Sequence, residues 1–250
     1  MSTRSLHTCA LAGLATALAL VLAPGAPASW AWAARPLPVE VPLGERARLE
    51  RVTEAATLAT RYEARPFAAR RDVFEYLLDH PEFATHVTRA LKLARYRIWR
   101  EPDGLWLDDG WGARGRFEVV HAAPGVRVMY ARGEYEQRFL PNIAGEAVVV
   151  IEFTSRADEG GRAEITPAVS GFVRLDNPLL AAAGRFASSI VTAKAEKEAQ
   201  RLVKVFARTS RAIEENPGRV CDLLRHRPDV PKQDLEEFRR LLNVPRAPSP

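Results

Sequence analysis

The sequence predicts an α+β protein. It should have a seven-stranded antiparallel sheet, two short helices between the first and second strands, and one long helix after the last strand. Three observations carry this. From residue 96 to 176, about eighty positions hold no plausible helix, and the turn sequences EPDG, AAPG and RADEGG punctuate β-rich segments. Alternation is clean in the last two segments: Ala147, Val149, Ile151 and Phe153 share one face, against Glu146, Glu152 and Thr154 on the other. Beyond them Asn177 suits an N-cap, Pro178 suits the first helical position, and a long run without glycine or proline follows Gly184.

The elements follow in order. Arg4, the apolar run CALAGLATALALVLA (9–23) and the small-x-small APA (26–28) form the pattern of a secretory signal peptide over 1–28, with AWA (31–33) as a second cleavage site. The apolar run is short for a membrane span of about 20 residues. The reading is therefore export with cleavage, to the periplasm or medium, rather than anchoring. Residues 29–44 form a proline-rich leader, expected to be extended. A helix over 45–59 puts Leu49, Val52, Ala56 and Ala59 on one side. Residues 60–68 form the first strand, and two helices over 70–81 and 82–95 are separated by Pro81. Strands are expected at 96–100, 105–109, 115–121, 126–137, 145–155 and 162–176, with one apolar and one wet face to the sheet. The domain runs over 45–216, and 217–250 is a tail with two short amphipathic helices, around Val220, Leu223 and Leu224 and around Leu235, Phe238 and Leu241.

Cleavage would remove Arg4 and no acid, lowering the net charge from +5 to +4, too little for a nucleic-acid footprint. It would leave Cys221 as one thiol, which has no internal partner for a disulfide.

This order of elements resembles the START-like helix-grip superfamily, also called SRPBCC. RRDVFEYLLDHPEF (70–83) resembles its first helix and the turn into its second. GEAVVVIEFTS (145–155), the hairpin RADEGG, AVSGFVRLD (168–176) and the long helix resemble its closing part. The resemblance spans roughly 60–215 and rests on element order, since this superfamily has no catalytic signature. It implies a curved sheet wrapped around the long helix, with an apolar ligand held between them and no cofactor.

The helix seam fits that implication. Leu179, Ala183, Ala187, Val191, Ala195, Ala199, Leu202, Phe206 and Ile213 recur at steps of three or four, large at the ends and small in the middle. Small residues there either clear volume for a ligand or allow closer helix–sheet approach. On the first reading the ligand, a lipid or polycyclic small molecule, touches Met129, Tyr135, Ala147, Val149, Ile151, Phe153, Val169, Gly171 and Val173. From the helix it would touch Ala183, Phe186, Ala187, Ile190, Val191 and Ala195, with His121 as a polar handle. RFLPNIAG (138–145) is the candidate gate.

Catalytic patterns are sparse. His80 and His86 flank Pro81 without a common ligand geometry, and GWGARG (110–115) lacks the strand-to-helix context of a phosphate loop. No metal site is expected. The alternatives to a binding protein are a cyclase- or aromatase-type enzyme, which the resembling superfamily also contains and which would need His121, Tyr130 or Arg132 inside the cavity, and an interaction protein with a filled core. Trp99, Trp106 and Trp111 suggest either sheet packing or a rim that touches a membrane surface transiently.

Overall fold

The computed structural model describes residues 37–38, 41–110, 112–136, 142–157, 163–176 and 188–245, with backbone alone for 188–195 and 198. The signal-peptide residues, Trp111, most of the gate segment and the start of the long helix lie outside the described residues.

Among the described residues eight strands form one antiparallel sheet, not seven. The expected first strand is split into β1 (Leu58–Glu63) and β2 (Phe67–Ala69), and both pair with β8 (Ala163–Leu175). The physical reason is a meeting of two prolines. Glu63 stands opposite Ala168 and Phe67 opposite Ile165, so Pro66 and Pro167 face the same gap, and neither has an N–H to donate. The ladder resumes only after Ala64 N has reached Pro167 O at 2.9 Å. The remaining strands form a meander: β3 (Arg97–Glu101), β4 (Gly104–Asp108), β5 (Ala113–Ala123), β6 (Val126–Tyr135) and β7 (Ile143–Ala157). The spatial order is β1-β8-β7-β6-β5-β4-β3.

The sheet's second face, expected to be wet, is wet only in part: Arg97, Arg114, Arg116, Arg132 and Thr154 are exposed on it, but a helix covers its middle. α1 (Leu43–Glu54) lies on the second face, where Leu49 and Val52 pack with Val128, Tyr130, Val148, Val150 and Phe172. The leader belongs to this core too: Leu37 and Val41 are buried in it, and Pro38 O accepts from the Arg46 guanidinium at 2.7 Å.

The first face carries the main core. α2 (Arg71–Asp79) contributes Phe74 and Leu78, and α3 (Pro81–Ala90) follows after His80 with Pro81 at its first turn, where a missing N–H costs nothing. Phe74 stands edge-on to Phe67, Phe153 and Phe206, with ring centroids 5.9, 5.1 and 5.9 Å away. Thr85 of α3 covers the open edge of β3, its hydroxyl accepting from Ile98 N at 3.2 Å.

α4 (Ser188–Glu215) is the long helix, 28 residues in its described part. Its main packing against the sheet falls on β1, β2 and β8, so it runs along one side of the sheet rather than being wrapped by it. The other five described helices are short, and two follow α4: α5 (Pro217–Arg225) and α6 (Lys232–Leu241). They pack on α2, α3 and the end of α4 as a second apolar core, in which Phe83, Leu224, Ile213, Val220 and Phe238 are at most 2 % exposed. Burying a side chain of this size contributes about 1.5–3 kcal/mol, so this helical layer is part of the folded unit.

Candidate functional site

A cavity of about 300 Å³ lies between the first face of the sheet and the helices. Strand alternation sets its floor: Ile98, Leu107, Phe117, Met129, Val149, Ile151 and Val173 point into it. Leu77 and Leu78 of α2, Pro81 and Ala84 of α3, and Leu202 and Phe206 of α4 form the opposite wall.

Three glycines shape one end. Gly115, Gly133 and Gly145 are in register across β5, β6 and β7, and all three line the cavity. A Cβ on Gly133 would sit 2.3 Å from Arg114 O, one on Gly115 2.4 Å from Arg132 O, and one on Gly145 2.7 Å from Arg174 O. The strands approach too closely here for any side chain, so the line of glycines allows the sheet to bend and leaves its inner surface bare.

Little of the lining's surface is polar, although Arg114, Arg116, Arg132, Glu134 and Glu146 belong to it beside the three glycines. Asp109 is buried, and its Oδ1 accepts from Ala113 N at 3.0 Å across the β4–β5 turn. Tyr96 is buried as well, and burial pushes its hydroxyl up to about 12, so it stays protonated. The site can therefore surround an apolar body and offer a hydroxyl and a carboxylate at its margin.

Of the residues expected from sequence, Met129, Tyr135, Val149, Ile151 and Val173 line the cavity. Phe153 and Val169 share its apolar core but not its lining; Phe153 fills the end beside Phe74. Ala147 stands between Ala131 and Val173, and Gly171 beside Thr60, neither of them lining it. Ala183, Phe186 and Ala187 lie outside the described residues; Ile190, Val191 and Ala195 are placed on α4 by their backbone alone. Sequence reasoning missed the α2–α3 wall, Ile98, Leu107 and the three glycines. A glycine inside each of three strand patterns was the available signal.

His121 is a correction. The register slips by one residue between Val119 and His121, so Val119 opposes Met129 but His121 opposes Val128. Residues directly opposite share a face, and Val128 belongs to the core under α1. His121 thus leaves the side of Phe117 and Val119, and the cavity lining does not include it.

Tyr130 also faces α1, where it joins a charged cluster around Glu146. Glu146 accepts from the Tyr130 hydroxyl at 2.6 Å, from Arg174 Nε at 2.9 Å and from Arg132 at 3.4 Å. Burial pulls the Glu146 carboxyl up, but Tyr130, Arg174 and Arg132 outweigh it and hold the group below its ordinary range. Of the three polar groups that an enzymatic reading needs, Arg132 belongs to the cavity lining, as does Glu146, whereas His121 and Tyr130 do not.

Trp99 and Trp106 oppose each other on β3 and β4. Their indole N–H groups donate to Glu101 and Asp103 at 2.7 and 3.0 Å. The Arg114 guanidinium lies 5.6 and 5.7 Å from the two rings. His80 lies against Tyr76, and His86 Nδ1 is 3.5 Å from Asp229. Among the described residues no three His, Cys, Asp or Glu gather as metal ligands, and no helix is long and apolar enough to cross a membrane.

No family model matches the chain, and no curated protein matches it. Among solved structures, the chain is similar to the crystal structure of a hypothetical protein from Helicobacter pylori. The identity is 11%, over 65% of this chain and 93% of that one, with a TM-score of 0.42.

Proposed function

We propose that the chain binds a hydrophobic small molecule or lipid between the sheet and α2, α3 and α4, and acts by burial and release rather than by bond chemistry. The observation behind this is an apolar cavity of about 300 Å³, where interiors are ordinarily close-packed. An apolar cavity of about 150 Å³ admits benzene, so this one suits a fused-ring molecule or one acyl chain. Burying apolar surface yields about 25 cal/mol per Å², so useful affinity needs no charged anchor. Two further points belong to the same proposal. The pattern of residues 1–28 supports export, and the element order supports kinship with START-like proteins, whose members hold apolar ligands.

Native mass spectrometry of the purified protein, with organic extraction, tests the reading directly. An apolar molecule should copurify, and Nile red should bind the emptied protein. Val149→Phe and Leu202→Trp place larger side chains in the cavity and should weaken dye binding at nearly unchanged Tm. In a filled core the same changes would cost about 1–3 kcal/mol each by overpacking. A large drop in Tm with unaltered dye binding would refute the proposal.

A further inference from the structure

The outward face of α4 carries a charge pattern that ligand burial does not use. Lys197, Arg201, Lys204, Arg208 and Arg211 follow one another at steps of four, three, four and three. At about 100° per residue they fall within roughly 80° of arc, on the side away from Phe206, which lines the cavity. Lys197, Lys204, Arg208 and Arg211 are exposed, and the row is about 21 Å long at 1.5 Å per residue. Between Ala199 and Ile213 the helix contains no acidic residue. Glu196 and Glu198 stand before this stretch; after it Glu214 is engaged with Arg70 N at 2.8 Å, and the exposed Glu215, four residues beyond Arg211, ends the row.

A solvated helix face ordinarily mixes signs, because like charges three or four apart destabilise the helix. Here each step of the row brings two cations together, so the row works against the helix that carries it. That arrangement makes sense against a surface of opposite charge.

We propose that this row docks the protein on an anionic phospholipid surface, and lays the helix that walls the cavity along the layer from which the ligand comes. The second half of this statement rests on the ligand-binding reading above. Charge complementarity selects the occupant. Among the described residues the exposed large hydrophobic side chains are Leu43 and Leu223, neither on α4, so a protein partner would find no apolar anchor beside the row. A layer of anionic headgroups is diffuse and needs only charge, at about fivefold in partitioning per Lys or Arg near the surface.

The test is co-sedimentation of the purified protein with phosphatidylcholine vesicles, with and without phosphatidylglycerol. The protein should bind the doped vesicles, fail to bind the neutral ones, and release as salt is added. Lys204→Ser with Arg208→Ser should weaken binding roughly 25-fold, at about fivefold per cation. Arg97→Ser with Arg100→Ser, both exposed on the tryptophan-bearing β3, should leave it unchanged. Nile red binding, measured without vesicles, should be the same for all three proteins. Equal binding to both vesicle types, an α4 variant that binds like the parent, or capture by polyglutamate in place of vesicles would each overturn the proposal. A parent protein that binds doped vesicles but no dye would support the docking surface and refute the cavity reading, so the two fail separately.

Discussion

Gly133→Ala adds one methyl group at the centre of the glycine line, and the direction of its effect tests the close approach of β5 and β6. Glu136 N donates to Gly112 O at 2.9 Å, which makes that pair hydrogen-bonded and puts Gly133 opposite Gly115 in a non-hydrogen-bonded pair, where facing Cβ positions are closest. The new Cβ would lie 2.3 Å from Arg114 O, 2.7 Å from Gly115 Cα and 2.9 Å from the Arg114 carbonyl carbon. All three are backbone atoms, so no side chain can swing away, and the strands themselves must part. Two effects compete. A tolerated Gly→Ala change stabilises by about 0.4–1 kcal/mol, through the lost freedom of the unfolded chain. Overpacking costs about 1–3 kcal/mol, and loosening the flanking ladder bonds about 1 kcal/mol more. The clash wins, for a net loss of about 1–3 kcal/mol. At about 2–4 °C per kcal/mol for a chain of this size, Tm should fall roughly 2–12 °C. Gly171→Ala is the internal control, since its Cβ would meet only the Thr60 methyl group, at 3.4 Å. That variant should melt at or slightly above the parent. Differential scanning calorimetry of both decides the matter. An unchanged or raised Tm for Gly133→Ala, or an equal fall for Gly171→Ala, would refute the reasoning.

Two further outcomes follow from buried groups in the helical layer. Burial holds the His86 imidazole below its ordinary value of 6.5, and Arg89 and Arg227 act in the same direction against Asp229. The fold therefore favours the neutral ring, and stability should decline as pH falls from 6.5 through the lower folded value. His86→Gln should flatten the acid side of the Tm–pH curve, and an equally steep curve in the variant would contradict this. Burial pushes the Cys221 thiol up to about 11, so its reaction with iodoacetamide at neutral pH should be slow in the native protein and fast after unfolding. Rapid native labelling, followed by mass spectrometry, would show that the α5–α6 layer opens readily.

The sequence by itself determined the α+β mixture and the places of most elements, because these depend on neighbours along the chain; it did not determine the strand number or the place of the long helix. Alternation in 145–155 and 162–176 placed β7 and β8, Pro81 separated α2 from α3, and the step of Leu202 and Phe206 turned them inward on α4. Five of the nine strand residues expected to touch a ligand do line the cavity for the same reason: a period of two sends Val149 and Ile151 to one face whatever stands opposite. What only the tertiary structure decided depends on which residues meet across the sheet. Pro66 breaks the first strand because Pro167 stands beside it in β8, about a hundred residues away, and neither supplies the ladder bond. His121 changes face because β5 slips against β6 by one residue, and such a slip inverts every side chain beyond it. Gly115, Gly133 and Gly145 look unrelated along the chain and become a bend only when pairing sets them side by side. Leu49 and Val52 announce an apolar face on α1 without saying that the second side of the sheet receives it. Local pattern fixes a residue's direction from its own strand or helix; register and docking choose its neighbours, and those choices are made by contacts far apart in sequence.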